Sequence, residues 1–283
     1  MEIKIMADRM IDLPKEELDS LNISTMSCYV NMNGKSYEDL IDVYPDDIFT
    51  QLKKTGKIAQ TAAKSPEEYY NFFEPFTGEN KAVIHFAVSS GISSIYENAV
   101  LAASRLPNTY VIDTRTLCNG IALLAKYAIE LIEGGETDAK KVYELCLEKR
   151  AKVQGSFLIA TLECLRKGGR CSGMQYFASN LLKIKPVITL GKSDGRMQIR
   201  DKILGGQRHV LAKYIARTFK EYPNPDLKQL YIAHFCKDEL LIQYVVDTVA
   251  QHHKFENIQI NTGGCNCAIH SGTNTFGIFY FVQ

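Results

Sequence analysis

Apolar and polar positions alternate along the first half of the chain at two periods. Compact apolar runs at residues 3–7, 23–32, 82–88 and 110–113 predict strands. Between and after them, apolar residues recur at helical spacing. Ile95, Ala99, Ala102 and Leu106 form one set, and Leu117, Ile121, Leu124, Ala128 and Leu131 form another. Punctuation supports the reading. Pro14 opens a short helix over 14–21, and Pro45 opens one over 45–55 that Gly56 ends. Asn33-Gly34 marks a turn. Ser65-Pro66-Glu67-Glu68 is a capping box, with Ser at the cap and Glu three positions on, ahead of a helix to about Phe73. Gly134-Gly135 closes the helix that begins near Leu117, and Thr137 is expected to cap the next.

Past residue 152 the rhythm changes. A strand at 156–161 precedes a hairpin, 186–190 with 197–203, turning at Asp194-Gly195. Helices at 207–218 and 238–251 alternate with strands at 230–235 and 258–261, and a last strand runs 275–282. The expectation is an α/β protein of two domains that pack closely with a cleft between them. Residues 1–152 carry a parallel sheet, and 153–283 carry a mixed α/β sheet.

Strand 82–88 runs straight into Ser89-Ser90-Gly91-Ile92-Ser93, where a helix opens. Hydroxyls and free backbone N–H groups at a helix N-terminus suit an anion. Ligands in parallel sheets lie beyond the carboxyl ends of strands, where this turn, Asp8 and Asp113 all fall. The two aspartates are read as turn formers or loop orienters, not as an acid–base pair.

Composition narrows the classes. Of 283 residues, Lys+Arg number 33 and Asp+Glu 32, a net charge of +1, so no basic excess points to nucleic acid. No apolar run is long enough to span a bilayer, and Met-Glu-Ile-Lys-Ile reads as a strand, not a signal peptide. A cytoplasmic location is expected. With no heptad or repeat signal, so is a monomer. Eight cysteines suit a reducing compartment, since Cys146, Cys164 and Cys236 sit within apolar patterns. Cys265-x-Cys267 with His270 lacks the spacing and partner pair of a zinc site, so no metal and no cofactor is expected.

Several stretches, in order along nearly the whole chain, resemble the DegV family of bacterial lipid-binding proteins. They are Asp8 with Asp12-Leu13-Pro14, Thr61 with Ser65-Pro66, the serine turn with Tyr96, and Val111-Ile112-Asp113. Leu165 through Arg170, Lys185-Pro186-Val187, and His270-Ser271-Gly272 leading to Phe276-Gly277-Ile278 follow. The resemblance implies a long-chain fatty acid buried between two α/β domains. Its carboxylate would be held by Thr61 and Ser93, with His270 close to the head group. It also implies a non-catalytic subunit that presents the acid to a separate ATP-binding fatty acid kinase subunit for acyl-phosphate formation. Lys64, Ser65, Ser90, Gly91 and Arg170 are candidate contacts to the head group or the partner. Phe157, Ile159, Phe177, Leu181 and Phe276 are candidates for the tunnel. The chain departs from the family pattern at Asp8-Arg9-Met10, at Ala62-Ala63-Lys64 and at Gly272-Thr273-Asn274. Two alternatives stay open. One is an enzyme, a hydrolase or phosphotransferase, acting on a small anionic metabolite with Ser93 as nucleophile and His270 as base. The other is an anion sensor or transport-related binding protein.

Overall fold

The computed structural model describes residues 1–160, 164–165, 167 and 184–283. The first domain is built on a four-stranded parallel sheet of β1 (Glu2–Asp8), β2 (Ser24–Met26), β6 (Lys81–Ala87) and β7 (Thr109–Asp113), in the order β2-β1-β6-β7. β6 is buried from Ala82 onward, as expected of a parallel strand covered on both faces.

The apolar run at 23–32 does not make one strand. It breaks at Ser27 and Cys28, whose hydroxyl and carbonyl are bonded by the Asp39 main chain. Residues past the break form β3 (Tyr29–Met32), which pairs antiparallel with β4 (Lys35–Glu38) and β5 (Gln60–Ala62) in a separate small sheet. The β3–β4 turn is Asn33-Gly34 with both residues at positive φ, the conformation a tight hairpin requires.

Helices α1 (Lys15–Ser20), α2 (Pro45–Thr55), α3 (Pro66–Phe73), α4 (Ile95–Ala103), α5 (Asn119–Glu133) and α6 (Ala139–Arg150) complete this half. The Ser65–Glu68 capping box is formed, and Gly56 ends α2 at φ 67. The cap of α6 is Asp138, not Thr137, because its carboxylate reaches the N–H groups of Lys140 and Lys141.

The second domain is a six-stranded mixed sheet, in the order β10-β9-β8-β13-β11-β12. Its strands are β8 (Val153–Leu158), β9 (Ile184–Leu190), β10 (Met197–Leu204), β11 (Pro225–His234), β12 (Asn257–Thr262) and β13 (Phe276–Val282). Helices α7 (Gln207–Glu221) and α8 (Glu239–His252) pack together on it. A short helix, α9 (Cys265–Ser271), stands in a stretch for which the sequence predicted no element.

Three features join the halves. α5 is buried from Asn119 through Ala125 and packs on β1 and β6 of one sheet and on β8 and β13 of the other. The core of the first domain is also continuous with Phe157, Ile188, Met197 and Phe279 of the second. α9 reaches back onto α2, where Cys265 and Ile269 pack with Val30, Val43 and Ile48. Among the described residues no helix is long and apolar enough to cross a membrane.

Candidate functional site

The serine turn is held before it can hold anything else. Asp8, fully buried at the end of β1, accepts from the Val88 N–H at 2.7 Å and from the Tyr69 hydroxyl at 2.6 Å, with His85 Nε2 at 3.1 Å. Asp113, at the end of β7, accepts from the Ser90 N–H at 3.1 Å and the Ser90 hydroxyl at 2.7 Å. Ser89 donates across the domain seam to the Gly195 carbonyl at 2.7 Å and accepts from the Gly91 N–H. The Ile92 N–H returns to the Ser89 carbonyl. The donors of Ser90, Gly91 and Ile92 are therefore engaged, so the anion site expected from the helix N-terminus does not extend to them. Ser93 differs. Its oxygen accepts from the Ile95 N–H at 3.3 Å, which directs the hydroxyl proton elsewhere.

Opposite the turn, α9 is anchored by two buried carboxylates of the first domain. Asp12 accepts from the Gly264 N–H at 2.9 Å, and Asp39 from the N–H groups of Cys265 at 2.7 Å and Asn266 at 2.9 Å. These groups would otherwise be unsatisfied at the start of the helix, where negative charge is favoured. Burial nevertheless pushes the Asp12 carboxyl up to about 6. The anchoring sets His270, in the last turn of α9, beside Thr61 of β5, with Nε2 3.4 Å from the Thr61 Oγ1.

Thr61, Ser93 and His270 line one cavity at the domain boundary, of about 830 Å³ counted out to its mouth. Both domains contribute its apolar wall, through Met10, Ile92 and Leu117 on one side and Phe157, Met197 and Phe279 on the other. Asn266, Ser271 and Thr275 add polar atoms. The chemistry is an apolar slot with a few hydroxyl and imidazole groups.

The remaining residues singled out from sequence occupy varied places. Lys64 is buried. Its Nζ bonds Glu38 at 2.6 Å and Glu68 at 3.3 Å and lies 3.7 Å from the centre of the Tyr29 ring, away from the cavity lining. Burial pulls this amine down, but bonds to Glu38, Tyr29 and Glu68 outweigh it and hold it above its ordinary range. Glu68 falls to about 2. Burial raises it, and bonds from Tyr29, Ser65 and Lys64 more than reverse that. Ser65 caps α3. Gly91 lies against the Asp194–Arg196 main chain, and a Cβ there would meet the Asp194 carbonyl oxygen at 2.4 Å. Phe157 lines the cavity, whereas Ile159 and Phe276 are fully buried and not among its lining residues. Arg170, Phe177 and Leu181 lie outside the described residues.

Sequence reasoning passed over Asp39 and Asn266, and it gave Asp12 no role. Neither aspartate carries a local signal for this work, since their partners lie more than 200 positions away. It also passed over residues 191–195, GKSDG, which spell a Gly-x-Ser-x-Gly pentapeptide. That motif makes a nucleophile elbow only between a strand and a helix. Here it is the turn of the β9–β10 hairpin, with Ser193 exposed.

Comparison with known proteins agrees with this architecture. A DegV domain-containing protein of Caldanaerobacter subterraneus is 27% identical over 99% of this chain and 98% of its own length. The solved fatty-acid-binding DegV family protein from Thermus thermophilus is 26% identical and covers 100% of both chains, with a TM-score of 0.90. The fatty acid kinase B3 protein of Streptococcus pneumoniae, solved loaded with linoleic acid, has the same fold at 19% identity. Its TM-score is 0.84, and the match covers 100% of both chains. The model for the family described as "Uncharacterised protein, DegV family" matches residues 2–283. With the two sheets, the cavity between them and a match along nearly every residue, the chain belongs to the DegV family.

Proposed function

We propose that this protein binds a long-chain fatty acid in the interdomain cavity and presents it to an ATP-binding kinase subunit for acyl-phosphate formation. Thr61 and Ser93 hold the carboxylate, and His270 stands beside it. The observation that carries the reading is the meeting of these three groups in the wall of a mostly apolar cavity between the domains. The fatty-acid-binding relative from Thermus thermophilus and the kinase B3 protein loaded with linoleic acid support it.

The energetics divide by region. Burying a tail of about 16 carbons gains roughly 10 kcal/mol gross, at ~0.8 kcal/mol per methylene. Each hydroxyl bond to the carboxylate adds about 1.5–3 kcal/mol. The tail supplies most of the affinity and the hydroxyls fix which end faces the mouth. The protein contributes orientation and solvent exclusion, and the chemical step belongs to the partner.

Native mass spectrometry of the purified protein, followed by organic extraction, should reveal a co-purified long-chain acid. Thr61→Ala with Ser93→Ala should weaken retention by about 10²- to 10⁴-fold. Unchanged occupancy in the folded double variant would overturn the head-group assignment.

A further inference from the structure

Cys118 and Cys267 stand 149 positions apart in sequence, yet their sulfurs are 3.1 Å apart. Both line the interdomain cavity. Cys118 belongs to the first domain, at the cap of α5, with φ 51 and ψ −140. That backbone region is one L-residues seldom adopt, and such outliers cluster at functional sites. Cys267 belongs to α9 of the second domain, and its sulfur lies 3.6 Å from Asp12 Oδ2.

We propose that Cys118 and Cys267 form a dithiol–disulfide couple in the cavity wall, oxidised by hydroperoxides that enter from the mouth, and that the disulfide ties the two domains together across the cavity. A disulfide bond is about 2.05 Å long, so the pair must close by about 1 Å. Cys267 is the first sulfur to react, because it is the more exposed of the two. The Cys267 sulfur attacks the terminal oxygen of ROOH, the O–O bond breaks, and Cys267 becomes a sulfenic acid while ROH leaves. The Cys118 sulfur then attacks the Cys267 sulfur, the S–O bond breaks, and water departs with the Cys118 proton. Each sulfur gives up one electron, and the peroxide takes both.

A metal is the competing use of this cluster, since Asp12, Cys118 and Cys267 offer ligand atoms within 4.8 Å of one another. Structural zinc takes four donors and binds thiolates. Among the described residues there are three donors, and both thiols favour their protons. The hydrogen bond to Cys267 and burial raise Cys118. For Cys267 the bond from Cys118 lowers the thiol, but burial and the nearby carboxylates outweigh it and leave it at about 11. Such thiols react slowly with peroxide and are spared non-specific oxidation.

An occupied cavity would cover the pair, a consequence that rests on the proposed fatty-acid site. The test uses the full chain stripped of lipid, treated with hydrogen peroxide and digested without reductant. The expected product is one cross-linked peptide pair holding Cys118 and Cys267, lighter by two hydrogens and released by dithiothreitol. Cys118→Ser should instead leave a sulfenic acid on Cys267 that dimedone captures. If both thiols remain open to alkylation after peroxide while the circular dichroism is native, or if the cross-link maps to other cysteines, the couple is refuted. In a second arm, palmitate is present at about 100 Kd and oxidation should slow by about 100-fold. An unchanged rate with palmitate demonstrably bound would refute shielding. Failure of palmitate to bind at all would count against the fatty-acid site and leave the couple standing on the first arm.

Discussion

Gly195→Ala is the most informative single change at the domain seam. Gly195 sits in the β9–β10 turn at φ +65, and a Cβ there would lie 2.0 Å from the Ser89 hydroxyl oxygen. Two costs follow. Placing alanine in the left-handed region costs about 1 kcal/mol. Clearing the overlap requires the Ser89 hydroxyl to turn away from the Gly195 carbonyl, which breaks a buried 2.7 Å bond and leaves polar atoms without partners, for about 1–3 kcal/mol more. The sum, about 2–4 kcal/mol, is a large share of the ~5–15 kcal/mol that stabilises a typical domain. Gly34→Ala is the control. Its φ is +76, but nothing lies within 4 Å of the new Cβ, so only the backbone cost of about 1 kcal/mol applies. Urea unfolding of both variants measures the difference. A double-mutant cycle with Ser89→Ala sharpens it. Without the hydroxyl, the nearest remaining atom of Ser89 is its Cβ at 3.3 Å, so the methyl added at position 195 fits with little movement. The double variant should therefore be less destabilised than the sum of the single changes, by about 1–2 kcal/mol. Equal losses for Gly195→Ala and Gly34→Ala, or strict additivity in the cycle, would show that the serine turn and the hairpin are not locked by this contact.

Asp12→Asn should stabilise the protein increasingly as pH rises. The folded carboxyl titrates near 6 against 3.8 for the free group, so below pH 4 both states hold the proton and there is no penalty. Between pH 4 and 6 the folded state binds more protons than the unfolded state, and stability falls as pH rises. At pH 7 the full penalty, about 3 kcal/mol, is present. Asparagine keeps an acceptor for the Gly264 N–H, and the wild-type-minus-variant difference in urea unfolding from pH 4 to 8 should track this window; a flat difference contradicts it. Asp8→Ala leaves the Val88 N–H and the Tyr69 hydroxyl buried without their acceptor and should cost about 3–5 kcal/mol, seen as a lowered thermal midpoint. A loss below about 1 kcal/mol would mean that water or a neighbouring group takes over those bonds. Lys64→Met should change fatty-acid affinity by less than about twofold in a titration, because its charge is engaged by Glu38 and Glu68 away from the cavity lining. A larger loss would return Lys64 to the head-group site.

Local features of this protein were legible from the chain alone. The four parallel strands, the α2 helix between Pro45 and Gly56, the Ser65 cap and the β9–β10 hairpin each depend on residues a few positions apart. Periodicity and capping act over that range, so their signals survive without the fold. The DegV motifs extended the reading to the whole chain by their order. The split of 23–32 between two sheets was hidden, because both halves are equally strand-like and only contacts with Asp39 decide where the chain turns.

The tertiary structure decided which of several similar groups face the cavity. Ser89, Ser90 and Ser93 are near-equivalent as text, yet Gly195 and Asp113 engage the first two and the third lines the cavity. Cys267 looked unpaired beside Cys265, and its neighbour proved to be Cys118. Asp12 and Asp39 became anchors of α9 only because folding brought a helix N-terminus to buried carboxylates from the other end of the chain. Hydrophobic period and turn chemistry are properties of neighbours along the chain. A cavity belongs to surfaces that meet, and whether a hydroxyl, thiol or carboxylate is free within it depends on partners hundreds of residues away.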